Sequence, residues 1–240
     1  MKPTFEAPGI TLYNADCRDV ELDGIDAVLT DPPYGINHKT DYTRFTGGKF
    51  ESRNFHIPIY GDDEPFDPTP WLEYPKVILW GANCFSDRLP LGTLLVWCKR
   101  RDSQLGTFMS DAEAAWMKGG HGVYLFRHVW NGFDRESERR EKTLHPTQKP
   151  VALMRWCIER LKLKPGSTIL DPFMGSAPVA LAALELGHRY IGVEREPAYF
   201  NIAVQRIEKA NERDILREPV RRAGEPGGIP APESPGTLSA

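Results

Sequence analysis

Two consecutive prolines that follow a short apolar segment constrain the fold of this chain more than any other feature of its sequence. Residues 25–30 read Ile-Asp-Ala-Val-Leu-Thr, which has the length and aliphatic content of a buried strand. Pro32 and Pro33 cannot donate hydrogen bonds to a neighbouring strand, so this strand has to end at Asp31. Because the carboxyl ends of strands border the ligand crevice in open α/β sheets, the quartet from Asp31 to Tyr34 is predicted to lie at a binding site. A carboxylate, a rigid turn with backbone carbonyls and an aromatic ring suit a planar molecule that carries an amino group.

Composition indicates an ordinary globular protein. The chain has 240 residues, of which 40% are hydrophobic and 26% charged, and this favours one domain with a sizeable core. It has no apolar run of membrane-spanning length and no signal-peptide pattern at residues 1–5, so we expect a cytoplasmic protein without membrane contact. The four cysteines are scattered, which favours neither disulfides nor a metal site. A net charge of -3 means that any nucleic-acid surface would have to be local.

Periodicity along the chain predicts seven strands, most of them followed by helices. The predicted strands are 10–14, 25–30, 76–80, 93–98, 123–130, 168–170 and 190–194. The predicted helices are 70–74, 111–118, 150–163, 178–186 and 197–213, with Thr147 as a cap of the third. Such alternation is typical of a doubly wound α/β fold with a mostly parallel sheet.

Three further segments have no clear period. Residues 35–67 are polar and predict a long loop, which is usually a lid or a binding loop; a disordered surface insertion is the competing interpretation. Residues 131–142 carry mixed charges and favour a solvated helix or loop. Residues 216–240 have little apolar content and predict a disordered tail.

A second candidate site follows the strand 168–170. Asp171 ends that strand, and Gly175 and Ser176 lie at the start of the next helix. We therefore expect a helix N-terminus at the same crevice, together with a glycine that lets a ligand approach the backbone closely. Glu194 ends the following strand, where an acid is placed to accept hydrogen bonds from ribose hydroxyls. The chain lacks both the phosphate-binding Gly-x-x-x-x-Gly-Lys-Ser/Thr motif and the Gly-x-Gly-x-x-Gly of nicotinamide-binding folds.

Together these motifs resemble those of the amino-group DNA methyltransferases, in the order of the β group, over residues 10–212. The matching stretches are Ala15-Asp16-Cys17, Asp31-Pro32-Pro33-Tyr34, His145-Pro146-Thr147-Gln148-Lys149-Pro150, Asp171-Pro172-Phe173-Met174-Gly175-Ser176 and Tyr190-Ile191-Gly192-Val193-Glu194. The resemblance implies a seven-stranded, Rossmann-like methyltransferase sheet with a circularly permuted motif order and S-adenosylmethionine as cofactor. It implies a catalytic domain over 1–215, with 35–67 as a DNA-engaging loop and 131–144 as a short target-recognition segment.

The resemblance also implies residue roles. Asp171, Phe173 and Gly175 would line the methionine and ribose portions of the cofactor, and Glu194 would bind the ribose hydroxyls. Further cofactor-site residues are Asp16 and Cys17 at the adenine edge, Thr147 and Lys149 on the opposite side, and Ser176 and Asp31. Ala177 and Pro178 depart from the family, which usually has a second glycine and small hydroxyl residues there.

The implied chemistry is methylation of an exocyclic amino group. Asp31 and the Pro32 carbonyl would each accept one N–H, so that the nitrogen lone pair faces the methyl group, and Tyr34 would stack on a flipped base. Candidate contacts to double-stranded DNA are Arg44, Lys49, Arg53, Lys99, Arg100, Arg101, Arg135, Arg139, Arg140 and Lys142. Asp at the first quartet position favours adenine N6 over cytosine N4. Two competing hypotheses are methylation of RNA or of a protein amide, and a DNA-binding subunit without catalysis. The short recognition segment favours a short recognition site or a homodimer.

Overall fold

The computed structural model describes residues 1–38, 59–107, 110–131, 134–139 and 148–215. Ten strands are present in this part of the chain: β1 (Phe5–Ala7), β2 (Ile10–Asn14), β3 (Ala27–Thr30), β4 (Val77–Trp80), β5 (Gly92–Cys98), β6 (Ala112–Arg127), β7 (Trp130–Asn131), β8 (Asp134–Arg135), β9 (Thr168–Asp171) and β10 (Arg189–Glu194). The α-helices are α1 (Thr69–Leu72), α2 (Val151–Leu161), α3 (Pro178–Glu185) and α4 (Pro197–Ile215). Short 3₁₀ turns span Cys17–Asp19, Ala82–Cys84, Ser86–Arg88 and Asp102–Gln104.

Eight of these strands form one sheet in the order β1-β2-β10-β9-β3-β4-β6-β5. The five central strands from β2 to β4 pair in parallel, whereas β1 pairs antiparallel with β2, and β4 pairs antiparallel with β6. The predicted α/β fold with a mostly parallel sheet is therefore confirmed, and β2 lies beside β10 as the permuted motif order requires. The predicted count of seven strands is wrong because the edge strand β1 is too short to produce a periodic pattern.

The region 111–118 is a strand and not the predicted helix. Ala112 begins β6, whose first half pairs with β4 on one side and with β5 on the other. In the first half of β6, Met117 lies opposite Thr93 and Ala112 lies opposite Cys98. Beyond Gly119 and Gly120, which have positive φ, the second half of β6 pairs with β5 in the opposite direction. The local helix preference of Ala-Glu-Ala-Ala is therefore overridden by hydrogen bonding to two neighbouring strands. The strand predicted over 123–130 is the second half of β6 and ends at Arg127.

Both faces of the central sheet are buried, as a doubly wound fold requires. In β3 the side chains of Ala27 and Leu29 belong to one apolar cluster, and that of Val28 belongs to the other. Helix α2 contributes six buried side chains to the first cluster, all on one face: Val151, Leu153, Met154, Cys157, Ile158 and Leu161. Complete burial of one such aliphatic side chain stabilises the fold by about 1.5–3 kcal/mol, so the sheet edge that carries the site is rigidly supported.

Several predictions fall partly or wholly outside the described residues. Of the loop 35–67 the structure describes 35–38 and 59–67. Thr147, half of the segment 131–144 and the tail 216–240 also lie outside. In the described part of the chain no helix is long and apolar enough to cross a membrane. The same residues contain no group of three or more His, Cys, Asp or Glu side chains that could hold a metal ion.

Candidate active site

Five parallel strands end at one edge of the sheet, and this edge collects most of the predicted site residues. Asp31 follows β3, Asp171 ends the neighbouring strand β9, and Glu194 ends β10 beyond it. Asp16 follows β2, and Gly81 follows β4 on the other side of β3. The carboxyl-end rule for α/β sheets therefore brings the quartet and the second candidate site together.

The carboxylate of Asp31 has a partner on each oxygen. The Tyr34 hydroxyl donates a hydrogen bond of 2.6 Å to Oδ1, and the Lys149 ammonium forms an ion pair with Oδ2. Lys149 also donates to the Tyr34 hydroxyl at 3.0 Å. Among the described residues no backbone N–H donates to the Pro32 carbonyl. The quartet thus presents one carboxylate that is occupied by protein groups and one carbonyl that accepts no backbone hydrogen bond from the described residues.

Lys149 lies in a buried network with a residue that the sequence did not single out. Its Nζ lies 3.3 Å from Glu113 Oε2, and Lys99 Nζ lies 2.8 Å from Glu113 Oε1. The Lys149 side chain is 4% exposed, and its ammonium lies 5.6 Å from the centroids of both the Tyr34 and Trp80 rings. Two ammonium groups and two carboxylates therefore neutralise one another beside the ends of β3 and β5 and the start of β6.

Burial affects these groups differently because their partners differ. Burial raises the pKa of Asp31, although the nearby Lys149 opposes the shift. Burial also opposes ionisation of Glu113, but Lys149 and Lys99 together hold its pKa down at about 2. Lys149 is desolvated as well, yet Asp31 and Glu113 raise its pKa, so that it stays charged. Glu113 therefore has the lowered pKa and stays ionised, whereas Asp31 has the raised pKa and is protonated more easily.

The backbone after the quartet is held by Asp62, which sequence reasoning also missed. Its carboxylate accepts hydrogen bonds from the backbone N–H groups of Tyr34 at 2.8 Å, Gly35 at 2.9 Å and His38 at 2.6 Å. Gly81 supports the quartet from the other side, because a Cβ at this position would lie 2.1 Å from the Tyr34 ring. The Tyr34 ring is therefore fixed against the end of β4.

Asp171 is the most deeply buried acid of the second site. Its side chain accepts a 2.7 Å hydrogen bond from the Thr30 hydroxyl and a 3.3 Å hydrogen bond from the Tyr190 hydroxyl. Burial raises its pKa to about 7 despite the hydrogen bond from Thr30. Thr30 also precedes Asp31 directly, so one hydrogen bond connects the base of the quartet to the candidate cofactor site.

Glu194 organises the loop between β9 and α3. Its two oxygens accept hydrogen bonds from the backbone N–H groups of Gly175 at 2.9 Å and Glu196 at 2.8 Å. Gly192 lets this loop lie close to β10, because a Cβ there would come within 2.6 Å of Met174 Sδ. Burial raises the pKa of Glu194. Each carboxylate oxygen retains a lone pair, so the side chain still suits ribose hydroxyls.

The predicted adenine edge lies beside an apolar crevice. Asp16 caps a 3₁₀ turn, and the hydrogen bonds from Arg18 lower its pKa to about 2. Burial raises the pKa of the neighbouring Cys17 thiol to about 11, so it acts as an apolar wall. The crevice has a volume of about 20 Å³ and is lined by Cys17, Val20, Leu22, Trp71, Tyr74, Leu170, Pro172 and Val193. This is room for about one water molecule, so the lining residues suit adenine chemically but have to part to admit it.

The remaining cofactor candidates belong to the same loop. Phe173 packs edge-on against Phe66 and Trp71, with centroid distances of 5.8 and 5.9 Å. Ser176 is buried, and its hydroxyl accepts a 3.1 Å hydrogen bond from Arg206. Ala177 adopts a left-handed conformation with φ 55°, which explains the glycine that is usual at this position in the family.

The predicted DNA contacts lie in several different surroundings. Arg100 and Arg101 line a cleft of about 450 Å³ at the same sheet edge, together with Arg127, which was not among the predicted contacts, and with Asp102, Ser103, His128, Val129 and Glu136. Lys99 instead pairs with Glu113, as described above. Arg135 lies 5.2 Å from the Trp130 ring centroid, and Arg139 donates to the Arg135 carbonyl at 2.7 Å. Arg44, Lys49, Arg53, Arg140 and Lys142 lie outside the described residues.

Comparison with known proteins supports a single family. A family model for N6/N4 methyltransferases, described as DNA methylase, matches residues 110–205. Type II methyltransferase M.HinfI of Haemophilus influenzae is 24% identical over 85% of this chain and 70% of its own length. Type II methyltransferase M2.DpnII of Streptococcus pneumoniae is 32% identical over 49% of this chain, which corresponds to 42% of its own length.

Solved structures agree in fold. The crystal structure of the M1.HpyAVI–SAM complex has a TM-score of 0.50 at 21% identity and covers 82% of this chain and 98% of its own. The PvuII DNA methyltransferase, which is cytosine-N4-specific, has a TM-score of 0.53 at 14% identity and covers 90% and 95% of the two chains. Through these matches and the motifs at one edge of its sheet, the chain is similar to the amino-group DNA methyltransferases in sequence and in fold.

Proposed function

We propose that the protein transfers the methyl group of S-adenosylmethionine to the exocyclic N6 of an adenine flipped out of double-stranded DNA. The observation that carries this proposal is the juxtaposition of the quartet with the Asp171 loop. The Thr30 hydroxyl, one residue before Asp31, donates a 2.7 Å hydrogen bond to Asp171. A methyl donor bound by the loop and an amino group bound by the quartet would therefore lie close together at this edge of the sheet.

The candidate cofactor site fits S-adenosylmethionine in its chemistry. Asp171, Phe173, Gly175 and Ser176 would face its methionine and ribose portions. Glu194 would accept hydrogen bonds from the ribose hydroxyls. Asp16, Cys17 and the apolar crevice would meet adenine, and Thr147 and Lys149 would close the site. The bound cofactor supplies an electrophilic methyl group on a positively charged sulfur.

The quartet would make the amino nitrogen nucleophilic. An exocyclic amino group reacts poorly because its lone pair is delocalised into the ring. If Asp31 and the Pro32 carbonyl each accept one N–H, the lone pair turns toward the methyl group. Such orientation is worth up to ~7–11 kcal/mol of the barrier. Positive charge develops on nitrogen in the transition state, where the Asp31 carboxylate stabilises it. Tyr34 would hold the ring of the base.

DNA would approach along the same edge of the sheet. A base inside a duplex cannot reach the quartet, so it has to be flipped out at a cost of a few kcal/mol. The cleft lined by Arg100, Arg101 and Arg127 provides cationic groups for backbone phosphates. The loop 35–67 and the segment 131–144 remain our candidates for engaging DNA and reading its sequence. Because this segment is short, we propose a short recognition site or a homodimer.

The relatives' names favour the same reaction class, and one of them indicates a second candidate for the target base. M.HinfI and M2.DpnII are named as type II methyltransferases, and M1.HpyAVI was solved as a complex with SAM. Because the PvuII enzyme is cytosine-N4-specific, transfer to cytosine N4 is the second candidate. The order of the motifs argues against RNA or protein amides, and the intact quartet argues against a DNA-binding subunit without catalysis.

Transfer of labelled methyl groups tests this proposal. Protein incubated with tritiated S-adenosylmethionine and unmethylated DNA, RNA or protein should label the DNA. Asp31→Ala should abolish transfer, whereas Asp87→Ala, a change at an exposed acid, should retain transfer. Label on RNA or protein alone would refute the substrate class, and transfer by the Asp31 variant would refute its role. Base-resolved sequencing of the modified DNA then distinguishes adenine from cytosine.

A further inference from the structure

The buried ammonium of Lys149 forms ion pairs with two carboxylates. Asp31, after β3, and Glu113, in β6, both form ion pairs with it, and Glu113 Oε2 is 3.3 Å away. The second oxygen of Glu113 is held by Lys99 at 2.8 Å. Because only 4% of the Lys149 side chain is exposed, losing a carboxylate partner would be costly for its ammonium. Lys149 can therefore give up one carboxylate only because the other remains.

This arrangement matters because the protein itself occupies Asp31. Lys149 takes Oδ2 and the Tyr34 hydroxyl takes Oδ1, so an arriving amino group competes for the same acceptor. A buried ammonium that lost its only carboxylate would be strongly destabilised. Without a second carboxylate, Lys149 would hold on to Asp31 and exclude the amino group.

We propose that Glu113 is a positioning residue for methyl transfer, which retains Lys149 when the target amino group hydrogen-bonds to Asp31. This inference rests on the function proposed above. No proton has to move, because Lys149 stays charged and only exchanges hydrogen-bond partners. Lys99 holds Glu113 in place for this exchange through its other oxygen. The low pKa of Glu113 agrees with a carboxylate that stays ionised throughout.

The test is Glu113→Gln, which keeps the shape of the side chain and removes its charge. We expect kcat for methyl transfer to DNA to fall about 10- to 100-fold, the size expected for losing a charge-assisted hydrogen bond. The KM for DNA and the Kd for S-adenosylmethionine should stay within about threefold, because the residue contacts neither directly. Glu113→Asp keeps the charge and should recover part of the lost kcat. The matched control is Glu185→Gln, which removes the charge of an acid ion-paired at the surface with Arg155.

A double-mutant cycle shows whether Glu113 acts through Lys149. In a Lys149→Met background no ammonium has to be retained, so adding Glu113→Gln should cause no further loss of kcat. Single-turnover assays with labelled cofactor and long incubation measure the low rates of these variants. Thermal unfolding of each variant shows whether it is folded at the assay temperature.

The outcomes separate this inference from the proposed function. Parental kcat in folded Glu113→Gln would overturn the inference, as would equal losses in the Gln and Asp variants. Multiplicative losses in the double variant would also overturn it, since they indicate a role independent of Lys149. If the parental protein labels no DNA at all, the proposed function itself fails before the variants are compared.

Discussion

Replacement of Asp171 by Asn should change how the stability of the protein depends on pH. Asp171 is 2% exposed, and burial raises its pKa to about 7, compared with an ordinary value of 3.8. In the unfolded chain the carboxyl loses its proton near pH 4, but in the folded protein it holds the proton until about pH 7. The folded state therefore binds more protons over this interval, and stability falls as the pH rises. Asn has the same shape, carries no charge and can still accept the hydrogen bond from Thr30.

The size of the effect follows from the two pKa values. A difference of about three units, at 1.36 kcal/mol each, is worth about 4 kcal/mol over the whole interval. Between pH 5 and 8 the part that changes is about 2.5 kcal/mol. For a domain of this length that corresponds to a shift in Tm of roughly 5–10 °C. Asp31 and Glu194 also have raised pKa values and contribute with the same sign in both proteins, so most of their effect cancels in the difference between parent and variant.

Urea denaturation of both proteins at pH 5, 6, 7 and 8, without cofactor, measures this difference. The stability of Asp171→Asn relative to the parent should rise steadily with pH and level off above about pH 7.5. Thr30→Val, which removes the hydroxyl that stabilises the carboxylate, should move the interval to higher pH. Parallel stability curves for parent and Asn variant between pH 5 and 8 would refute the reasoning, because Asp171 would then be ionised throughout.

Three further changes test other contacts of the site. Gly81→Ala places a Cβ against the Tyr34 ring, so we expect at least a tenfold loss of kcat in the labelled-methyl assay with cofactor affinity retained. Asp62→Asn removes the charge that holds the backbone after the quartet, and it should lower stability by about 1.5–3 kcal/mol in urea denaturation. Arg127→Ala should weaken binding to all DNA sequences alike and lower the slope of log K against log salt by about 1 in fluorescence titrations. Unchanged values in these assays would contradict the contacts assigned to each residue.

The sequence was most informative where a strand ends in residues that cannot continue it. Asp31 precedes two prolines, Asp171 precedes one, and Glu194 closes a strand whose preceding glycine permits close packing. These signals are local, and the parallel α/β arrangement then brings such strand ends to one edge without further information. The structure accordingly places all three acids at the same edge of the sheet.

Partners from distant parts of the chain could not be found in this way. Glu113 meets Lys149 only because β6 returns between β4 and β5, and the sequence around it favours a helix. Asp62 carries no motif and is recognisable only by the backbone N–H groups that converge on it. Glu113 and Lys149 are 36 residues apart in the sequence, and an ion pair between such distant residues produces no periodic pattern. The charge network of the site is therefore determined by the strand topology.

The acids at this edge differ in charge state because of their partners and not because of their residue type. Glu113 lies between two lysines, and its pKa is low despite burial. Asp31 shares one of these lysines, and its pKa is raised by burial nonetheless. Within the described residues, Asp171 accepts hydrogen bonds only from hydroxyl and backbone donors, and burial raises its pKa to about 7. One edge of the sheet therefore holds an anion of low pKa that pairs with Lys149, a carboxylate of raised pKa within the quartet, and an acid that stays largely uncharged below neutral pH. These are three distinct environments that a reaction transferring positive charge from sulfur to nitrogen can use.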